Sequence, residues 1–274
     1  THTSLKGVEA VEDEVELLAF CDSTHIAPRD FIRRLVAPVV DGEDFSTGYH
    51  KVVARDTGIV TMAYALCVQL MRYLQGISSF TQLWGGAMCF RLSAFRRYGV
   101  REFWMSNVVD DCSLADRLIR LGARIRLSGD AVLMTEARDH DLGVWRHWMD
   151  RQILFLKFCI PYQWVLLGVL ACLMLLPVLW AVVAVLGVLL GKLSFGWLVG
   201  VLIYVAVLAL VLRSWAHFQE AVFPVWRWVV AFCASACMFV LVYLGTILAE
   251  GVLWQGIWYE VGRQGRVIRM RRQK

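Results

Sequence analysis

The stretch Leu17-Leu-Ala-Phe-Cys21-Asp22-Ser23-Thr24 decides how the chain is read. Five apolar residues end abruptly on a carboxylate, the pattern of a short buried parallel strand that delivers an acid to its C-terminal edge. Open α/β sheets bind their ligands at that edge. Just beyond it, Pro28 and Asp30 open an amphipathic helix, with Phe31, Leu35 and Val36 inward and Arg33 and Arg34 outward. A second strand is expected over Thr47 to Val53 and a helix from about Gly58 to Leu74. Then comes Leu83-Trp84-Gly85-Gly86-Ala87-Met88-Cys89-Phe90, where paired glycines permit backbone to approach a ligand closely. Val108-Val109 leads into Asp110-Asp111 and a helix whose apolar side is Leu114, Leu118 and Leu121, stopped by Gly122. Arg124 to Leu127 and Ala131 to Met134 read as two further strands.

The 274 residues are 58% hydrophobic and 19% charged, an average over two unlike regions that meet near Tyr162. The first, roughly 160 residues, is long enough to bury a core of its own. The second has too few polar residues to coat a globule in water and requires lipid around it. Between them, Leu142 to Phe158 repeats Trp145, Trp148, Met149, Phe155 and Leu156 at helical spacing opposite Arg146, His147, Asp150, Arg151 and Lys157. That pattern fits a helix lying in the membrane interface. Apolar runs over 164–190, 194–212 and 229–249 each reach the length of a membrane span, and Pro177 can kink the first. The expected organisation is a catalytic region over 1–141, an interfacial helix over 142–162, a membrane region over 163–250 and a basic tail over 251–274.

Three crossings set Asp22 and the tail on opposite sides, although positive residues favour the cytoplasm. One run is then re-entrant or interfacial, or the first is a bent hairpin. The tail carries Arg263, Arg266, Arg269, Arg271, Arg272 and Lys274 with no acid between them, contributing to a net charge of +5. Beside a hydrophobic region such a run suits anionic lipid headgroups more simply than nucleic acid, so no nucleic-acid partner is expected. Eight cysteines sit singly without a metal-binding or secreted-scaffold spacing and read as reduced core residues facing a reducing compartment. The first segment runs straight into a buried strand, and an upstream piece with a further nucleotide-binding strand is expected.

Acids delivered to a sheet edge can hold a cation on a phosphate-bearing ligand and take the proton of a hydroxyl, the two needs of a group transfer from a diphosphate leaving group. Asp22, at a strand end, is placed to hold a hard divalent cation, Mg2+ or Mn2+, through oxygen. Asp111, opening a helix beside Asp110, is placed to act as the base, and a close Asp110 raises its proton affinity. Each residue has a plainer reading as well: a turn or helix cap for Asp22, capping and dipole roles for the paired acids, snorkelling for Arg151. His140, between Asp139 and Asp141, reads as a solvated loop histidine, with metal ligation the alternative.

Order and spacing resemble the family 2 and ceramide-glucosyltransferase-like group of membrane glycosyltransferases over nearly the whole chain. That resemblance implies a GT-A-type α/β fold with its N-terminal strand or strands missing, followed by a helical transmembrane region. Cys21-Asp22-Ser23-Thr24 with Ile26-Ala27-Pro28 resembles the DxD-type segment, implying that Asp22 and Ser23 bind metal and nucleotide diphosphate. Thr47-Gly48-Tyr49 and Trp84-Gly85-Gly86-Ala87-Met88 resemble the Thr-Gly and Gly-Gly segments. Asp110-Asp111-Cys112-Ser113-Leu114 resembles the Glu-Asp motif whose second acid is the base. Trp148-Met149-Asp150-Arg151-Gln152 falls at the (Q/R)xxRW position, and Trp254-Gln255-Gly256-Ile257-Trp258-Tyr259 resembles a closing WRGxxY-like segment.

By resemblance, Asp110, Asp111 and Arg151 are catalytic, Gly85 and Gly86 line the donor, and Trp84, Trp148 and Gln152 lie on the acceptor side. Thr24 replaces the second acid of a strict DxD, and Gln152 stands where tryptophan is usual. The second departure argues against a processive polysaccharide synthase. The implied function is inverting transfer of one sugar from a nucleotide sugar, a UDP-sugar, to a membrane lipid such as ceramide, with the catalytic region facing the cytoplasm. A polysaccharide synthase is the enzymatic alternative; a transport or assembly subunit is the other, although none of the three apolar runs has a central charge.

Overall fold

The computed structural model describes residues 2–11, 14–77, 81–216, 219–220 and 223–272; Lys274 of the basic tail lies outside them. A mixed four-stranded sheet runs in the order β1 (Leu17–Cys21), β3 (Ala87–Arg91), β2 (Phe45–Ala54), β4 (Ile125–Ala137). Only β2 and β4 are parallel; β3 runs antiparallel to both of its neighbours. The expected buried parallel strand is thus an antiparallel edge strand with Cys21 exposed. A continuous apolar run does not tell which way its partner points, and here one flank of the strand is left without a described neighbour. Asp22 nevertheless sits where expected, its N–H donating to the Gly86 carbonyl at 3.0 Å.

The two short strands expected over 124–134 are one strand of 13 residues, whose pairing shifts register between Thr47 and Tyr49. Gly48 marks the shift because its backbone lies too close to the Ala131 carbonyl to admit a Cβ. One face of the sheet is covered by α2 (Phe31–Val40), where Phe31, Leu35 and Val39 pack on Ala87, Cys89 and Leu133. The other is covered by α1 (His2–Glu9), α4 (Leu92–Arg97), α5 (Val100–Ser106) and α6 (Cys112–Arg120). There Phe95, Trp104, Leu114 and Leu118 pack on Phe45, Met88 and Phe90. Leu121, expected on the apolar side of α6, is 52% exposed because the helix has ended; Gly122, at φ +76°, forms the expected stop.

α3 (Ile59–Gln75) and α7 (Leu142–Cys159) pack together with the apolar helices α8 (Pro161–Leu189), α9 (Gly196–Ala216) and α10 (Val225–Thr246). Each of the last three is long and apolar enough to cross a membrane, and α8 continues through Pro177. The tryptophan stripe of α7, expected to face lipid, faces protein instead: Trp145, Met149 and Ile153 are fully buried in the cluster shared with α3 and α10. An apolar stripe has the same spacing whether lipid or protein covers it. Not all the cysteines are core residues either, since Cys172 and Cys237 are exposed on apolar helices.

The expected basic tail is an antiparallel sheet of β5 (Gly251–Trp254), β6 (Ile257–Val261) and β7 (Val267–Arg272). Gln255 and Gly256 both take positive φ, +51° and +74°, as a two-residue hairpin requires. The sheet is clamped to the catalytic region. Val108 N–H donates to Gly265 O at 2.9 Å, Asn107 Nδ2 to Gln264 O at 2.7 Å, and Val252 and Val261 pack against Cys112 and Cys159.

Candidate active site

The loop before α6 brings both acids to the end of β3. Asp111 caps the helix, its Oδ1 accepting from Cys112 N–H at 2.6 Å, while Oδ2 accepts from Gly85 N–H at 3.1 Å. Asp110 accepts from the Ser4 hydroxyl at 2.9 Å, and its carbonyl accepts from Trp104 Nε1 at 2.9 Å. A Cβ on Gly85 would lie 3.0 Å from Asp110 Oδ1 and 3.4 Å from Asp111 Oδ2. The glycine therefore admits the two carboxylates, and the space beside Gly86 is filled by the Trp84 ring, so neither glycine is open toward a ligand.

Burial first, then the charge of Asp110, push the Asp111 carboxyl up to about 6, against the pull of its two N–H donors. Asp111 remains partly open to solvent while densely surrounded by protein atoms. Capping and base chemistry are compatible here, because the cap bonds fix the direction of a carboxyl whose proton affinity suits proton transfer near neutral pH.

Asp22 has a 52% exposed side chain and faces His25, whose Nδ1 lies 3.8 Å from Asp22 Oδ2. His25 Nε2 stands 3.1 Å from His50 Nδ1, which is 3.3 Å from the Thr135 hydroxyl, and His50 stacks on Trp84 at 4.8 Å. Burial lowers the proton affinity of both histidines, that of His50 to about 3, so the pair is neutral. Neither histidine stood out from the sequence. The spacing of Asp22 and His25 was the one available signal, and the pairing with His50 is made by the fold.

Among the described residues no three metal-binding side chains converge. Asp22 offers an oxygen donor and His25 a nitrogen beside it, a set that fits a divalent cation only if diphosphate oxygens and water fill the remaining positions. Ser23 follows in the exposed turn.

Arg151 on α7 is half-buried; burial lowers its proton affinity, and the Asp22 carboxylate opposes that shift. Tyr64 of α3 links this side together: His140 stacks on it at 4.4 Å and Trp148 meets it edge-on at 5.1 Å. His140 is not the solvated loop residue expected; its ring is packed and its Nε2 is buried. Tyr49 packs on Trp84 at 5.2 Å, and Thr47 anchors Trp84 by accepting from its N–H at 3.0 Å. Gln152 is half-buried on α7, next to Arg151. A cavity of about 510 Å³, lined by Arg34, Lys51, Arg72 and Glu220 among others, contains none of these residues. Because Arg151 lies within electrostatic reach of the Asp22 carboxylate, Arg151→Ala is expected to reduce turnover far more than membrane association. Comparing initial rates with the fraction sedimenting with vesicles checks this, and near-wild-type turnover would exclude the role.

A family model described as glycosyl transferase family 21 matches residues 10–267, a range that includes Asp22, Asp111, Arg151 and the helices and sheet beyond them. No curated protein matches the chain.

Proposed function

Since this chain belongs to glycosyl transferase family 21, we propose that it transfers a single sugar from a UDP-sugar to a hydroxyl of a ceramide-like membrane lipid by one inverting displacement. It is a glycosyltransferase, so the transport or assembly alternative is set aside. The observation that carries the proposal is the Asp111 carboxylate, fixed by Gly85 and Cys112 and raised toward neutrality by burial and Asp110. A lipid hydroxyl is a poor nucleophile until its proton is removed. Asp111 takes that proton as oxygen bonds to the anomeric carbon and the bond to the diphosphate oxygen breaks.

Asp110 holds its neighbour's proton affinity up. Arg151 meets the charge that develops on the diphosphate, and Asp22, with His25 beside it, would hold a divalent cation that supplies further neutralisation there. Trp84 and Trp148 give apolar walls on the acceptor side. The lipid acceptor is supported by continuity: α3 carries Tyr64, which meets His140 and Trp148, and packs on the apolar helices. The free cysteines and the basic residues on the catalytic side favour a cytoplasmic placement.

The test supplies the full chain in lipid vesicles with labelled UDP-sugars and a ceramide-type acceptor. One discrete glycolipid is expected. A ladder of polymer would establish the polysaccharide synthase reading, and no transfer to any lipid would remove the acceptor assignment.

A further inference from the structure

The three apolar helices are alike in composition but meet the catalytic domain differently. α8 departs from it: Gln163, Leu167 and Ala171 are buried near its start, whereas Trp180, further along, contacts Trp197 and Tyr204 of α9. α9 returns, burying Leu208 and Leu212 and setting Trp215 5.1 Å from Tyr73 of α3. Just past its end, the Gln219 side chain donates to Val52 O at 3.0 Å and accepts from Ala54 N–H at 3.1 Å. The two helices form a hairpin whose turn exposes Gly191, Lys192, Ser194 and Phe195.

α10 neither departs nor returns. Near its start Arg227 Nη1 donates to Thr57 O at 2.9 Å, and at mid-length the Ser235 hydroxyl lies 3.4 Å from Ala63 O. At its end Thr246 O accepts from Lys157 Nζ at 2.7 Å, and Thr246 Oγ1 accepts from Trp164 Nε1 at 3.1 Å. A helix of 22 residues is about 33 Å long. Crossing a hydrocarbon core about 30 Å thick would carry one end that far from the domain. Its start and middle instead touch the catalytic domain, and its end touches the close of α7 and the first turn of α8, beside that domain.

The helix also has two unlike faces. Trp228, Ala231, Ser235, Phe239, Val242 and Thr246 are buried, whereas Trp226, Val230, Leu241 and Leu244 on the other side are 39–67% exposed. An interfacial helix ordinarily turns a polar face to water. Here α3 and α7, with parts of α8 and α9, cover that face, so the helix is apolar all round and its composition reads as a span. We infer that α10 lies in the plane of the membrane beneath the catalytic domain, its outer face in lipid, and that of the three helices α8 and α9 alone cross.

Two crossings put the C-terminal sheet on the same side as the catalytic domain, as the Val108–Gly265 bond requires. The conflict over the basic segment disappears, because Lys192 is then the one Lys or Arg in the far turn, 190–195. Through α3, the buried helix holds the cleft at the height of the lipid headgroups, where an acceptor hydroxyl lies.

The test uses the full chain in sealed vesicles of one orientation, with Cys21, Cys172, Cys233 and Cys237 replaced by alanine. Single cysteines are placed at the exposed positions Arg97, Ser194 and Arg271 and treated with a membrane-impermeant maleimide before and after permeabilisation. Arg97→Cys and Arg271→Cys are expected to label from one side and Ser194→Cys from the other. Labelling of Arg271→Cys from the Ser194 side would show that α10 crosses, and labelling of all three from one side would show that the hairpin does not. In the same background, nitroxides at Trp226→Cys, Val230→Cys, Leu241→Cys and Leu244→Cys report depth through oxygen and nickel-chelate accessibility. One shallow depth is expected for all four; depth increasing toward the helix centre would overturn the inference even if a labelling variant failed to insert.

Discussion

Asp111→Asn is expected to lower turnover by about two orders of magnitude or more while leaving donor affinity nearly unchanged. Asparagine keeps the size of the side chain and one oxygen, enough for either the Cys112 or the Gly85 N–H group, which bond different oxygens of Asp111, but it cannot accept the acceptor's proton. The wild-type rate should fall as pH drops through about 6, where the Asp111 carboxyl gains its proton, and this limb should be absent from the residual rate of the variant. Stability should move the other way. The folded carboxyl binds its proton more tightly than the unfolded one, so its charge opposes folding above about pH 6. That opposition fades as pH falls through the folded value and is gone below the unfolded value of about 3.8. Asp111→Asn lacks this titration, so wild type should gain thermal stability relative to the variant as pH falls from 7.5 to 3. Asp110→Asn should be milder, since Asp110 acts through its neighbour. Full activity of Asp111→Asn would remove it as the base.

Asp22→Ala is expected to abolish metal-dependent binding of the UDP-sugar without unfolding the protein. The side chain is 52% exposed in a turn, so its loss opens no cavity, while a cation at that position loses its one carboxylate. Calorimetric titration with nucleotide sugar in the presence and absence of Mn2+ reads the effect directly. Affinity equal to that of wild type in Mn2+ would take Asp22 out of the donor site.

Local chemistry was legible in the sequence wherever one segment carried it. The acid after the apolar strand and the aspartate that caps α6 depend on neighbours within a few positions, whereas Gly85 meets Asp110 and Asp111 from 25 and 26 positions away. Leu35 and Leu114 were readable as core because helix period alone set their direction. What tertiary structure assembles was not legible. His25 meets His50 only because β2 lies beside the turn after β1, and the strand direction of Leu17–Cys21 is set by β3. The arginines of the last segment hid strands because charge masks a β pattern whose other residues, Val267 and Ile268, are few. Tryptophans on α7 were assigned to lipid since hydropathy records the preference for burial and not the identity of what covers the residue.

The most direct test of the central claim, that Asp111 drives a single displacement at the anomeric carbon, is the anomeric configuration of the glycolipid product. Proton NMR of the purified lipid, compared with the UDP-sugar donor, reads it from the coupling constant of the anomeric proton. The account predicts the opposite configuration to the donor's; retained configuration would contradict it.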